Sequence, residues 1–273
     1  MFNSVLKDLF VAGKGDFTCQ IKAPASVSPD DMEYDGKPFV DGNTIFVNGQ
    51  ISAWTGSTVD VTSPIVDSST GQRALIGKMA QIEEKDALRA VESARQAWNN
   101  GQGIWPQMSA NERLIAMEAV LESLQEKRDE IINVLLWEIC KNKKDAAAEF
   151  DRTIEFSKNV IAAFRKDLEQ GDWKVTNGIL NKIRRTAIGL IMCLGPFNYP
   201  INETYATLLP ALLSGNIVIL KIPTLGKPTP RPHRIVLLLL QLIRSMYRHI
   251  CGRTNSGTLF SSSLHFTIPI SCH

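Results

Sequence analysis

No aspartate or glutamate occurs beyond Glu203 in this chain of 273 residues, and no two of its five cysteines are spaced as CxxC. The cysteines (Cys19, Cys140, Cys193, Cys251 and Cys272) are odd in number and unpaired in pattern, so neither a disulfide framework nor a zinc site is indicated. A reducing, cytoplasmic setting fits them. Long apolar runs are missing too: the longest, IVLLLLQLI at 235–243, falls well short of the roughly 20 residues that cross a bilayer, and predicts a buried element. The opening MFNSVLKDLFVAGKGD is broken early by charge and glycine, which speaks against a secretory signal. What is present, 44% hydrophobic and 21% charged residues, suits a soluble globular protein of one large or two ordinary domains.

The acid-free end is compositionally a different protein. Residues 227–273 carry six basic residues, all four histidines (His233, His249, His265 and His273) and no acid, which leaves the preceding part net acidic. The expectation is an aberrant basic tail, from a frame change or a retained intron, rather than a domain. The opposing reading is a real basic helix that docks on an acidic partner or a membrane surface. Nucleic-acid binding is not expected, because the basic residues are not interleaved with stacking aromatics. His249 and Cys251 form too weak a pattern for a metal or a catalytic role, and no metal site is predicted.

Residues 1–43, rich in Asp, Pro and Gly, read as an extension packed on the surface or partly loose. Residues 44–62 alternate around turn residues as a two-strand ribbon does. A helix comes next, with Ala87, Leu88, Val91, Ala94 and Trp98 on one face, and Ser109 to Glu112 opens a second through a capping box. Leu114, Met117, Val120, Leu121 and Leu124 continue the second apolar stripe. Further helices are predicted from about 129 to 140 and from about 144 to 169, the latter with Phe150, Ile154, Ile161, Phe164 and Leu168 near the 3.6-residue period and Gly171 as its stop. Residues 173–185 read as a ribbon or arm, and 186–194 as a strand.

The run GLIMCLGPFNYPINETYATLLPALLSGNIVILKIPT, beginning at Gly189, places strand, sharp turn, helix and strand in sequence, half of a dinucleotide-binding unit. Asn198, in the turn after the first strand, and Lys221, at the end of the second, then emerge at one rim, where open α/β sheets bind ligands. Each has a plain alternative. Asn198 could cap the helix that starts after Pro200, Lys221 could be a lysine snorkelling from a buried strand, and Cys193 fits a small core residue better than a nucleophile.

The motifs PFNYP, PALLSGN and KIPT, with the helices before them, resemble the aldehyde dehydrogenase superfamily over residues 47–226, and within it the NADP-linked, non-phosphorylating glyceraldehyde-3-phosphate dehydrogenase branch. The resemblance implies an α/β fold: an incomplete Rossmann-like parallel sheet with flanking helices, the amino-terminal portion of the aldehyde dehydrogenase fold. Together with composition it gives an expected division into an extension (1–43), a partial cofactor-binding domain with its ribbon arm (44–226) and the aberrant tail (227–273). The resemblance implies that Asn198 is the oxyanion donor, and that Leu194, Pro196, Phe197, Lys221 and Thr224 touch the cofactor. NADP is favoured over NAD, because Thr224 puts a neutral hydroxyl where NAD-preferring relatives commonly carry a glutamate. Arg152 is implied to grip a substrate phosphate, a task that suits a guanidinium, with Tyr199 beside the same pocket; the alternative for Arg152 is an exposed helix arginine paired with Glu149 or Glu155.

The resemblance ends after Gly226. The family's second glycine-rich cofactor turn, its general-base glutamate and its cysteine nucleophile have no counterpart in residues 227–273. The expectation is NADP-dependent oxidation of an aldehyde to the acid by family, with this chain truncated and inactive alone. The alternative is a non-catalytic module that associates with full-length aldehyde dehydrogenase subunits. In the family the arm pairs with a neighbouring subunit, so a homo-oligomer is implied, with a small aldehyde and neither nucleic acid nor membrane as partner.

Overall fold

A computed structural model describes residues 36–47, 50–66, 71–170 and 173–221 of the chain. The tail and Thr224 lie outside the described residues, as do Cys19, Cys251 and Cys272. The first layer is a three-stranded sheet. Its middle strand β5 (Arg73–Ala80) pairs parallel with β1 (Val40–Gly42) and antiparallel with β4 (Thr58–Val66). Ala74, Ile76, Met79 and Ala80 of β5 are all buried, as a middle strand requires. Residues 40–42, read from sequence as part of the extension, are thus built into the sheet, with Val40 in the core. The expected ribbon at 44–62 is narrower: only β2 (Thr44–Val47) and β3 (Gln50–Ala53) form the hairpin, and Thr58 onward belongs to the larger sheet.

Helix α1 (Glu84–Trp98) opens with a reciprocal capping box between Glu83 and Asp86. Its buried positions are Ala90, Ser93 and Ala94, whereas Leu88 and Val91 are exposed, which corrects the stripe read from sequence. The helix packs over the two parallel strands near residues 190 and 220, and small side chains are what allow a helix backbone to lie close to a sheet. Hydrophobicity alone ranks Leu and Val first and so picks the wrong face.

A short helix α2 (Ile104–Gln107) leads into α3 (Ala110–Glu126), where Ser109 Oγ accepts from Glu112 N and the Glu112 side chain returns to Ser109 N at 2.9 Å, the predicted capping box. Leu114, Met117, Val120, Leu121 and Leu124 are buried as expected. Helix α4 (Arg128–Ile139) ends at Cys140, whose positive φ of 56° reverses the chain. Asn142 then caps α5 (Lys143–Gln170), its Oδ1 accepting from Asp145 N at 2.8 Å. Phe150, Ile154, Ile161 and Phe164 are buried along α5; Leu168, in its last turn, is exposed.

The arm is a hairpin of β6 (Lys174–Thr176) and β7 (Ile179–Asn181). The predicted strand at 186–194 is shorter, β8 (Leu190–Leu194), and pairs parallel with β9 (Ile217–Lys221) across α6 (Asn202–Leu213), completing a strand–helix–strand unit. The unit's register is set by Asn216, almost fully buried, whose Oδ1 accepts from Ile188 N (2.7 Å) and Gly189 N (3.1 Å) while its Nδ2 donates to Ala211 O (3.0 Å).

Candidate functional site

The parallel register places Leu194 opposite Lys221, so the carboxyl ends of β8 and β9 lie side by side, as the motif order predicts. From that rim the chain turns through residues 195–200 into α6. Leu194 and Phe197 are exposed, and Pro196 is half-buried, presenting an apolar surface beside the turn.

Asn198 is exposed, and its side-chain amide makes no hydrogen bond to any described residue. It does not cap α6. That role falls to Glu149 of α5, fully buried, whose Oε1 accepts from Ile201 N (3.1 Å) and Asn202 N (3.4 Å). A carboxylate there satisfies amides that an α-helix leaves unpaired at its start and complements the positive end of the helix dipole. Glu149 is in turn ion-paired with Lys141, which precedes α5. Lys141 Nζ also donates to the carbonyl of Asn198 (3.3 Å) and sits 4.1 Å from the centre of the Tyr199 ring. A lysine and a glutamate from outside the motif therefore grip the backbone on both sides of Pro200. The partner suggested for Arg152 is corrected: Glu149 pairs with Lys141, and exposed Arg152 forms no ion pair among the described residues. Among the described residues the ring of Tyr199 takes its cation–π contact from Lys141, the ion-pair partner of Glu149 on α5, and not from Arg152.

The far end of α6 is held just as firmly. Gly215 N donates to Leu212 O and Asn216 N to Ala211 O, a Schellman closure with Gly215 at φ 89°. The buried Arg113 of α3 donates from Nε to Leu213 O at 2.9 Å and from Nη1 to Met108 O, and Trp105 Nε1 donates to Leu212 O at 3.1 Å. Burial lowers the guanidinium's pKa, with neighbouring Glu112 opposing. Lys141, Glu149 and Arg113 carried no motif; the available signal was a charge, Glu149, set directly beside Phe150 and heading a buried polar row with Thr153 and Ser157.

Cys193, on β8, is 2% exposed, and burial pushes its thiol up, against a smaller downward pull from a hydrogen bond with Thr207. A cleft of about 300 Å³ lies elsewhere, between Trp54 and Gly56 on one side and Glu83 and Arg89 on the other, and no predicted site residue lines it. Among the described residues no helix is long and apolar enough to cross a membrane, and no group of three or more His, Cys, Asp or Glu could hold a metal.

Residues 54–235 match the model of the aldehyde dehydrogenase family. The chain belongs to that family. It is 30% identical to the NADP-dependent glyceraldehyde-3-phosphate dehydrogenase of Streptococcus equinus over 66% of this chain and 37% of that protein. It is 28% identical to the D-glyceraldehyde dehydrogenase (NADP(+)) of Thermoplasma acidophilum over 65% of this chain and 34% of that protein. The chain thus spans about a third of the length of the curated relatives it matches. Solved structures agree on the fold. The NADP-dependent glyceraldehyde-3-phosphate dehydrogenase of Bacillus halodurans, complexed with NADP, superposes with a TM-score of 0.61 at 19% identity over 84% of this chain and 44% of that one. Lactaldehyde dehydrogenase from Escherichia coli gives 0.63 at 18%, over 85% and 43%. The α/β, Rossmann-like aldehyde dehydrogenase fold expected from the motifs is therefore the fold of this chain, as an amino-terminal portion.

Proposed function

We propose that this chain carries the oxyanion donor and part of the NADP site of an enzyme that oxidises an aldehyde to the acid, with glyceraldehyde 3-phosphate as the candidate substrate. The observation that carries the reading is the amide of Asn198, unbonded among the described residues and presented in a braced turn where β8 and β9 end together. An amide fixed in this way can stabilise charge developing on the aldehyde oxygen, a contribution of about 3 kcal/mol at a well-aligned site. Leu194, Pro196 and Phe197 fit the face of a nicotinamide, and Lys221 would meet the ribose or its phosphate, with Thr224 beyond it. NADP, when bound, supplies the hydride acceptor. Exposed Arg152, free of a carboxylate partner among the described residues, keeps its guanidinium available to an anion, with Tyr199 beside the same substrate. The names of relatives such as the Streptococcus equinus enzyme support NADP and a phosphorylated aldehyde.

No nucleophile or base is assigned in this chain, so the pure polypeptide is expected to bind NADP⁺ without turning over. Titration of its tryptophan fluorescence with NADP⁺ and NAD⁺ should give saturable binding, tighter for NADP⁺. A flat titration would remove the cofactor reading, and aldehyde-dependent NADPH formation would overturn the expectation of no turnover. A second reading, a non-catalytic module that pairs with full-length family subunits, is favoured by the exposed apolar arm; co-purification with an intact homologue tests it.

A further inference from the structure

We propose that Lys141 and Glu149 are positioning residues that set the turn bearing Asn198, acting from the α4–α5 junction rather than from the strand–helix–strand unit itself. The proposal rests on the reading of Asn198 as an oxyanion donor. Four contacts converge on five consecutive residues: Lys141 on the Asn198 carbonyl and the Tyr199 ring, and Glu149 on the amides of Ile201 and Asn202. The ion pair between the two makes these contacts one unit. Because the Asn198 carbonyl is held while its side chain bonds none of the described residues, the brace fixes where the amide starts and leaves its donor for a ligand. The pair is well placed for this. Glu149 is anchored within a 28-residue helix, and the Lys141 side chain is largely buried at 14% exposure, so neither has much freedom to drift. Arg152 lies one turn beyond Glu149 on α5, so the brace also ties the turn to the helix that carries the second candidate substrate contact.

The test uses the full chain and the variants Lys141→Met, Lys141→Arg and Glu149→Gln, with two readouts. The first is amide hydrogen exchange by NMR at Ile201 and Asn202, compared with Met192 and Ile219 in the neighbouring strands. Lys141→Met should speed exchange at Ile201 and Asn202 about tenfold while leaving the strand amides unchanged, and Lys141→Arg should restore most of the protection. The second is NADP⁺ affinity, expected to fall about tenfold in Lys141→Met and to stay within about twofold in Lys141→Arg. Glu149→Gln should match Lys141→Met in both. Unchanged exchange at Ile201 and Asn202 in a folded Lys141→Met overturns the proposal, whatever the affinity does. Faster exchange at those two amides with unchanged affinity also overturns it, since the turn would then be loosened without consequence at the site. If the unaltered chain binds no NADP⁺, the functional reading fails, and the exchange readout still decides whether the brace sets the turn.

Discussion

Cys193 lies one residue before the rim, near enough to Asn198 in sequence to invite a catalytic role and too deeply buried to perform one. Reactivity requires the thiolate, and burial in the unit's apolar interior disfavours it, so the thiol is held above its usual value of 9.0. Any stability tied to this group is therefore complete below the ordinary thiol pKa and declines as the pH rises through the elevated folded value. Iodoacetamide at neutral pH should label Cys193 at least about tenfold more slowly in the native chain than in denaturant, measured by peptide mass. Equal rates would show that the β8 interior is open to solvent and that the thiol is not a core group. Asn198 is the contrasting case: exposed and, among the described residues, unbonded by its side chain and held by its carbonyl.

At the scale of elements, α6 is the centre of the site and is clamped at both ends by charges of the sign its dipole favours, Glu149 at the amino end and Arg113 at the carboxyl end. Gly215→Ala probes the second clamp. A Cβ there would take a left-handed φ, costing roughly 1–2 kcal/mol, and would lie 3.2 Å from the Arg113 guanidinium. That guanidinium is buried and hydrogen-bonded, so it cannot swing aside cheaply. Gly215→Ala should lower stability by about 2 kcal/mol or more in urea unfolding, and Arg113→Met by roughly 1–3 kcal/mol for each buried carbonyl left unpaired. A loss within about 0.5 kcal/mol for both, the range of an ordinary surface change, would mean the clamp carries no load. The strand, turn, helix and strand themselves were legible from sequence, because period, glycine and proline placement are local signals read within one window. The clamps were not. Glu149 reaches Ile201 across 52 residues and Arg113 reaches Leu213 across 100, and no local pattern encodes such a meeting. The face of α1 was misread for a related reason: which side packs on β8 and β9 is decided by how closely the backbones approach, and Ala90 and Ala94 permit an approach that Leu88 does not.

At the scale of the whole molecule, the arm is the least self-sufficient of the described elements. Its turn, Asn177–Gly178, has positive φ at both residues (54° and 79°), which suits the right-handed twist of a tight hairpin. The strands it joins are three residues each, and a lone two-stranded hairpin is marginal in water. Yet the arm and its flanks display Trp173, Val175, Ile179, Leu180, Ile183 and Ile188, each more than half exposed. Apolar surface gathered on so slight a scaffold is stabilised most readily against another chain, and a second copy of this one presents the same strands for pairing. Val175 faces Leu180 across the hairpin, so the pair can be replaced by Glu and Lys, which keeps a favourable cross-strand contact while removing the apolar face. Sedimentation velocity should show the unaltered chain associating as its concentration rises, and the Val175→Glu, Leu180→Lys chain remaining monomeric with its circular dichroism intact. A monomer at every concentration for the unaltered chain would assign the arm no role in self-association. Association that persists in the double variant would move the contact elsewhere, with the exposed Met192 and Leu194 of β8 as the next surface to substitute.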